Sequence, residues 1–212
     1  MASGAPPAPD GASRLAAARR RGEAALAGLL GDEDAARGHL LDELGAVRAA
    51  ALAALCRLGR ARPDDVAAAL ADPDPDVRRN ACELAASLPA TDFAPLLEDA
   101  EPEVIEAAAF ACGEAGDRRS VARLATLAGS HPDPLCRESA VAALGAIGDE
   151  GGRRAVLEAL GDIPAIRRRA VVALAAFEGE DVAAALRARL ADRDWQVRQA
   201  AEDLLAAGEG PE

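Results

Sequence analysis

The sequence predicts an all-α protein, an α-solenoid (superhelix) of six to seven repeated helix pairs. Three observations lead to this prediction: alanine fills 57 of the 212 positions, one apolar helical pattern recurs about every 30 residues, and turns rich in Gly, Asp and Pro separate its copies. Alanine is the best helix former and is depleted in strands. With three Phe, one Trp and no Tyr, a dense interior requires helices whose backbones approach closely.

Each repeat is predicted to begin with a helix of about twelve residues. The first residues of its six copies are Val47, Val77, Val104, Cys136, Ile166 and Val197. Alanine occupies the fifth position of every copy, at Ala51, Ala81, Ala108, Ala140, Ala170 and Ala201. Small or apolar residues at offsets 0, 4, 7, 8 and 11 share one face of an α-helix, which indicates a common buried register. A seventh, degraded copy begins at Arg19.

A second, shorter helix is predicted between successive copies. Its segments are residues 64–70, 92–97, 120–128, 153–160 and 181–190. Gly59, Gly116 and Gly148 are placed where a helix commonly ends on a left-handed residue. Prolines and aspartates fill the turns before the next copy, where they stop one helix and cap another. One helix pair cannot bury both of its apolar faces, so the pairs are expected to stack.

The repeat array is predicted to cover residues 13–208. Residues 1–12, rich in Ala, Pro and Gly, are predicted to form a disordered tail, and residues 209–212 a frayed C-terminus. The first residues lack the charged and apolar regions of a signal peptide, and the apolar runs are too short to cross a bilayer. These features favour a cytoplasmic protein without a membrane partner.

Charge and cysteine usage exclude several classes of function. Thirty-six acids oppose 24 arginines, with no lysine, and give a formal net charge of −12. Nucleic acid is not expected as a partner, because phosphate binding requires a surplus of positive charge. The arginine-only, alanine-rich composition indicates a GC-rich, bacterial genome. The four cysteines, Cys56, Cys82, Cys112 and Cys136, form no CxxC pair, which favours packing over zinc or redox chemistry.

The turn-and-helix segments 72–81, 133–149 and 192–201 resemble the HEAT-like repeat family, in particular the short repeats of phycobilisome lyases. The resemblance covers about residues 15–208. In that family the arginine at the second helix position pairs with turn acids and forms a ladder between repeats. The resemblance implies this structural role for Arg48, Arg78, Arg137, Arg167 and Arg198. Ile105 and Glu106 break the pattern, so an interruption is expected at that repeat.

Some members of the family are enzymes, and each of their chemistries requires particular residues. The di-iron hydroxylases use paired His-Glu motifs, whereas this chain has only His39 and His131, neither followed by Glu. Asp42 and Glu43 could join His39 on one helix face, but a surface or packing role is favoured for that histidine. No catalytic residue, metal site or cofactor is predicted. An enzyme or enzyme accessory remains the alternative: a lyase-like subunit, less readily a di-iron hydroxylase or DNA glycosylase.

The favoured function is a non-catalytic scaffold or adaptor that binds another protein. In such arrays the second helices line the concave side, and the C-terminal half places a charged set there: Arg119, Arg123, Arg153, Arg154, Glu158 and Arg187. One interpretation is an arginine-lined surface for an acidic segment, since guanidinium groups pair with carboxylates in bidentate fashion. The other is a solvated helix face. Trp195 is expected to cap the array or to anchor a partner.

Overall fold

The described part of the chain, residues 11–86, 88 and 91–208 of a computed structural model, folds into twelve α-helices without a strand. The predicted all-α, α-solenoid class is confirmed. The chain divides into two compact units, residues 1–84 and 85–212. Within the described residues, no helix combines the length and the apolar character that a membrane span needs.

The first unit contains one long helix followed by shorter ones. Its helices are α1 (Gly11–Leu30), α2 (Glu33–Gly38), α3 (Gly45–Arg57), α4 (Pro63–Leu70) and α5 (Pro75–Ala85), the last of which ends one residue beyond the division. A 3₁₀ turn, His39–Leu41, joins α2 to α3. Helix α1 packs against α3, where Ala24, Val47 and Ala51 form a fully buried cluster.

The second unit alternates repeat helices with second helices. It begins with a 3₁₀ helix, Ala94–Glu98. Its α-helices are α6 (Pro102–Glu114), α7 (Val121–Ser130), α8 (Pro134–Ile147), α9 (Glu150–Ala159), α10 (Pro164–Ala173), α11 (Glu180–Arg189) and α12 (Trp195–Gly208). Helices α6, α8, α10 and α12 pack in sequence, each against the next, and α7 packs against both α8 and α9.

The six predicted repeat helices correspond to α3, α5, α6, α8, α10 and α12. The alanine at the fifth position is fully buried in every one: Ala51, Ala81, Ala108, Ala140, Ala170 and Ala201. The first position is buried as well, at Val47, Val77, Val104, Cys136, Ile166 and Val197. The 3.6-residue period therefore placed the buried face in the correct register.

The helix boundaries follow the turn chemistry. Pro134 is the first residue of α8, and the Asp133 carboxylate accepts the Leu135 N–H at 2.8 Å. At the other end Gly148 adopts φ 62°, a left-handed conformation in which a side chain would be strained. The predicted end glycines Gly59 and Gly116 adopt the same conformation.

One predicted second helix differs from expectation. The sequence predicts a second helix over residues 92–97, but only the five-residue 3₁₀ helix Ala94–Glu98 forms there. The Asp92 carboxylate holds the Ala94 N–H at 3.1 Å, and Pro95 has no N–H to donate. This repeat is the shortest, with 27 residues between Val77 and Val104, so it lacks the length for a full second helix.

The predicted ends of the array fall largely outside the described residues. Helix α1 begins at Gly11, two residues before the predicted start at residue 13. The remainder of the predicted tail, residues 1–10, and the predicted frayed end, residues 209–212, lie outside the described residues.

Glycine sets the closeness of α8 and α10. A Cβ atom added at Gly145 would lie 2.6 Å from the Ala173 Cβ and 2.7 Å from its Cα. Real Cβ atoms do not approach so near, so the two backbones are in direct contact at this level. Gly113 of α6 approaches Ala143 of α8 in the same way, although less closely, at 3.1 Å from the Cα.

We predict that Gly145→Ala lowers the free energy of unfolding by about 1–3 kcal/mol, because the added methyl group forces the two helices apart. Gly129→Ala is the matched control, since a Cβ at this exposed helical position meets nothing within 4 Å. The control should raise stability by up to about 1 kcal/mol through helix propensity alone. Chemical denaturation of the three proteins measures both. Equal stabilisation by the two substitutions would contradict the close packing.

Candidate functional site

Turn aspartates connect successive repeats in the first unit. Arg48 Nε donates to Asp72 Oδ2 at 2.7 Å, from α3 to the turn before α5. The backbone carbonyl of Asp72 accepts a second bond, from Arg78 Nη1 at 2.8 Å. The other carboxylate oxygen accepts the Asp74 N–H at 2.8 Å. One aspartate thus holds the arginine of its own repeat, the arginine of the preceding repeat, and the helix start.

The second unit repeats this arrangement twice. Asp162 accepts from Arg137 Nε at 2.8 Å through its carboxylate and from Arg167 Nη1 at 2.8 Å through its carbonyl. Asp192 accepts from Arg167 Nη2 at 2.7 Å and, through its carbonyl, from Arg198 Nη1 at 2.8 Å. The five arginines of the implied ladder therefore all donate to the turns. Arg48, Arg137 and Arg167 also reach a carboxylate of the following repeat.

Sequence reasoning missed a further member, Arg20 of α1. Its Nη1 lies 3.2 Å from Asp42 Oδ2, and the Asp42 carbonyl accepts from Arg48 Nη1 at 2.8 Å. The signal was present in the spacing, because Arg20 precedes its aspartate by 22 residues and Arg48 precedes Asp72 by 24. Arg20 also binds Glu43 at 2.9 Å. Both carboxylates considered beside His39 are therefore engaged by arginine.

The expected interruption involves two positions rather than one. Ile105 replaces the arginine and is 4% exposed. His131 replaces the aspartate: its Nδ1 accepts the Asp133 N–H at 3.1 Å, and its carbonyl accepts from Arg137 Nη1 at 2.8 Å. With Ile105 in place of the arginine, a carboxylate at 131 would have no guanidinium group from the preceding repeat to pair with.

The paired aspartates are acidic for a clear reason. Hydrogen bonds from Arg137 hold the pKa of Asp162 below its ordinary value, against the opposing effect of burial. Arg167 lowers the pKa of Asp192 in the same way. Both carboxylates therefore stay ionised to a lower pH than an ordinary aspartate does.

The predicted arginine surface spans α7, α9 and α11 of the second unit together with the turn before α7, and its members are paired. Arg119 precedes α7 and binds Asp117 at 2.8 Å. Arg123 of α7 lies 3.6 Å from Glu98. Their guanidinium groups already face carboxylates of their own chain.

The remaining members are paired in the same manner. Arg154 binds Glu158 of the same helix at 2.8 Å, with 90% of its side chain exposed. Arg153 contacts Glu150 and Asp181. Arg187 of α11 lies 3.2 Å from Glu180. The surface consists of arginine–acid pairs, so its local charge is close to balanced.

A different surface was not foreseen. Three large apolar side chains on consecutive repeat helices are half exposed: Phe110 at 53%, Leu135 at 55% and Val172 at 55%. They border two adjoining clefts of about 530 and 400 Å³, which share Ala142, Ala146 and Arg169 in their walls. We call this surface, over α6, α8 and α10, the α6/α8/α10 groove.

The shape of the groove follows from the residues at one equivalent position in three repeats. Counted from the first repeat position (Val104, Cys136 or Ile166), the seventh residue is Phe110 in α6, Ala142 in α8 and Val172 in α10. The small Ala142 therefore lies between two larger side chains, and the close approach of Gly113 and Gly145 keeps the floor shallow and continuous. This large–small–large alternation was the available signal in the sequence.

Acidic side chains accompany the groove on α6 and α8. Burial raises the pKa of Glu106, and the carboxylates of Asp133, Glu103 and Glu138 raise it further. Glu138 is paired with Arg169 at 3.3 Å. Within the part of the chain that the structure describes, Glu103 and Glu106 form no such ion pair.

Cys82, Cys112 and Cys136 are buried, as expected for packing residues. Burial raises the pKa of Cys136 to about 11, so its thiol is protonated at neutral pH and a poor nucleophile. Trp195 is the first residue of α12 and is 64% exposed. Among the described residues, no three His, Cys, Asp or Glu side chains are grouped as a metal ion requires.

The comparisons agree with this architecture. The family model of HEAT repeats matches residues 90–165. A designed armadillo repeat protein in complex with the peptide (KR)4 is similar in structure, with a TM-score of 0.57, 16% identity, and coverage of 89% of this chain and 98% of that chain. A search of the curated proteins finds no match.

Two further solved structures are similar at lower TM-scores. A second designed armadillo repeat protein has a TM-score of 0.48 and 17% identity, covering 94% of this chain and 95% of that chain. Human deoxyhypusine hydroxylase in complex with glycerol has a TM-score of 0.48 and 22% identity, covering 90% and 79%. Residues 90–165 are therefore HEAT repeats, and the chain has an armadillo-like α-solenoid fold.

We predict that the interrupted ladder can be restored by a paired substitution. Ile105→Arg alone should lower the free energy of unfolding by about 2–4 kcal/mol, because it buries a charge without a partner. His131→Asp supplies that partner, so the double variant I105R/H131D should recover about 1–3 kcal/mol relative to additivity. A double-mutant cycle in urea measures the coupling. Purely additive losses would show that the two positions do not form a ladder step.

We also predict that Asp192→Asn reduces stability at pH 7 and weakens its acid dependence. The unfolded carboxyl has a pKa near 3.8 and the folded one a lower pKa. The contribution of the Asp192 carboxylate to the free energy of unfolding is therefore complete above pH 3.8. It is lost as the pH falls through the pKa of the folded state. Removing the charge should cost about 1–3 kcal/mol at pH 7. Denaturation midpoints from pH 7 to pH 2 test this, and a parallel offset between variant and wild type at every pH would contradict it.

Proposed function

We propose that this protein is a non-catalytic scaffold that binds a segment of another protein in the α6/α8/α10 groove. The observation that supports it most is the trio of half-exposed side chains, Phe110, Leu135 and Val172, around a cleft lined with alanine. A contiguous apolar patch on a folded surface is a common mark of an interaction site. In the groove, the Phe110 side chain protrudes beside a depression over Ala142.

The energetics favour an aromatic anchor here. Binding energy is concentrated in a few residues that become fully desolvated, and aromatic side chains dominate among them. Phe110 still exposes 53% of its surface, so a partner can bury it further. Arg169 and Glu138 border the cleft as a pair 3.3 Å apart, as in the polar rim around the apolar centre of an interface.

The arginine surface for an acidic segment is a second hypothesis. Exposed ion pairs such as Arg154–Glu158 contribute only about 0–1 kcal/mol, so an incoming carboxylate could displace the internal acid. The net gain from such an exchange is small, however, because one pair replaces another. The apolar groove loses no existing interaction when it is covered, which makes it the stronger candidate.

The fold itself is compatible with peptide binding. The designed armadillo protein of similar fold is in complex with the peptide (KR)4, so stacked helices of this type can present a surface to a peptide. The likeness concerns the fold alone, since the two sequences share 16% identity. An enzyme on the same scaffold is the competing function, and bound iron or a visible absorbance band in the purified protein would favour it.

We predict that blocking the groove abolishes partner binding. Ala142→Phe fills the depression and Phe110→Ser removes the anchor, so each should weaken binding of a groove-dependent peptide at least about 30-fold, the loss expected for an interface hot spot. Leu41→Ser is the matched control, because Leu41 is 93% exposed in the other unit. Peptides selected by display against the wild type provide the probe, and circular dichroism checks that each variant is folded.

The double variant Arg123→Glu/Arg154→Glu tests the second hypothesis in the same assay. The groove proposal expects it to bind the selected peptides as the wild type does. If this variant loses binding while Phe110→Ser retains it, the arginine surface is the site and the groove proposal is wrong.

A further inference from the structure

The charges around the α6/α8/α10 groove indicate what kind of segment fits it. On α6, Glu103 lies two turns before Phe110 and Glu106 lies one turn before it. Glu138 lies on α8 at the position equivalent to Glu106. Asp133 caps the start of α8. Four carboxylates therefore gather on the N-terminal side of the groove. The cleft wall contributes one cation, Arg169, which is already bound to Glu138.

The carboxylates are under mutual repulsion. Glu106 is partly buried, and its ionised form is disfavoured first by that burial and then by Asp133, Glu103 and Glu138, which together raise its pKa. No described arginine lies within ion-pair distance of Glu103 or Glu106. A cation brought to this position would relieve the repulsion, whereas an acidic segment would increase it.

Building on the proposed function, we propose that the groove binds a basic amphipathic segment of another protein, with an apolar side chain over Ala142 and a Lys or Arg side chain over Glu106 and Glu138. Apolar and acidic parts of the surface are one helical turn apart, since Glu106 and Phe110 are separated by four residues. That turn is about 5–6 Å along the helix axis. The bound segment should therefore carry its Lys or Arg three or four residues from its apolar residue if it is helical, or two residues away if it is extended.

A second copy of the chain fits this surface less well. Two copies would bring together the same carboxylates, and the formal charge of −12 on each chain opposes their approach. A basic segment is instead attracted by these negative charges, so its binding should weaken with added salt.

The test uses a displayed library of random twelve-residue peptides, selected for binding to the full chain. Peptides that bind the wild type but not the Phe110→Ser variant are then kept as groove-dependent peptides. The proposal expects the groove-dependent peptides to carry a net positive charge, with Lys or Arg at the stated spacing from an apolar residue. Synthetic versions, measured by fluorescence anisotropy, should bind Glu103→Gln/Glu106→Gln about tenfold more weakly at low salt. The double variant Glu180→Gln/Glu202→Gln removes two exposed acids elsewhere in the same unit and should bind as the wild type does.

The outcomes separate the two proposals. Groove-dependent peptides that are neutral or acidic, or that bind the Glu103/Glu106 variant as well as the wild type, would overturn the basic segment and leave the groove as the binding site. Selection that yields no peptide sensitive to Phe110→Ser would overturn the groove itself, and the basic segment with it. A wild-type dimer that Phe110→Ser converts to a monomer would assign the groove to a second copy and also overturn the proposed partner.

Discussion

Close contact between neighbouring repeat helices is the constraint on which the rest of this structure depends. The protein has almost no aromatic residues, so its interior reaches protein-like density only if backbones approach one another. Alanine at the fifth position and glycine at Gly113 and Gly145 allow that approach. The α6/α8/α10 groove is a consequence, because small residues at the contact leave the larger outward side chains standing above a shallow floor.

The turn aspartates orient the packed repeat helices relative to one another. Asp162 bonds one arginine through its carboxylate and the next through its carbonyl, so each turn fixes the rotation of two consecutive repeat helices. Ile105 and His131 occupy the arginine and aspartate positions of the same step, so this step lacks both partners of the ion pair.

Sequence reasoning succeeded where periodic burial decides the structure. The register of Ala81 or Ala170 follows from a repeated apolar face, which local pattern specifies fully. It failed for residues 92–97, where a shortened repeat and Pro95 leave room only for a 3₁₀ helix. Arg20 was missed because its repeat is degraded, although its partner Asp42 lies at nearly the usual spacing.

The groove was harder to foresee for a different reason. Residues on the exposed face of a helix are not required to be buried. The helical pattern alone therefore does not show which exposed residues of neighbouring helices lie next to one another. Phe110, Ala142 and Val172 become neighbours only when three repeats are aligned in register. The sequence identifies the arginines only as a charged set. Their pairing with Asp117, Glu98 and Glu180 depends on side-chain contacts that the sequence does not display.

The contact between α8 and α10 can be measured directly in solution. In a NOESY spectrum of protein labelled at its alanine methyl groups, the Hα protons of Gly145 should give an intense cross-peak to the methyl group of Ala173, because the space beside that glycine is filled by this residue. The absence of that cross-peak, in a folded protein whose two resonances are assigned, would contradict the direct backbone contact on which both the core and the groove rest.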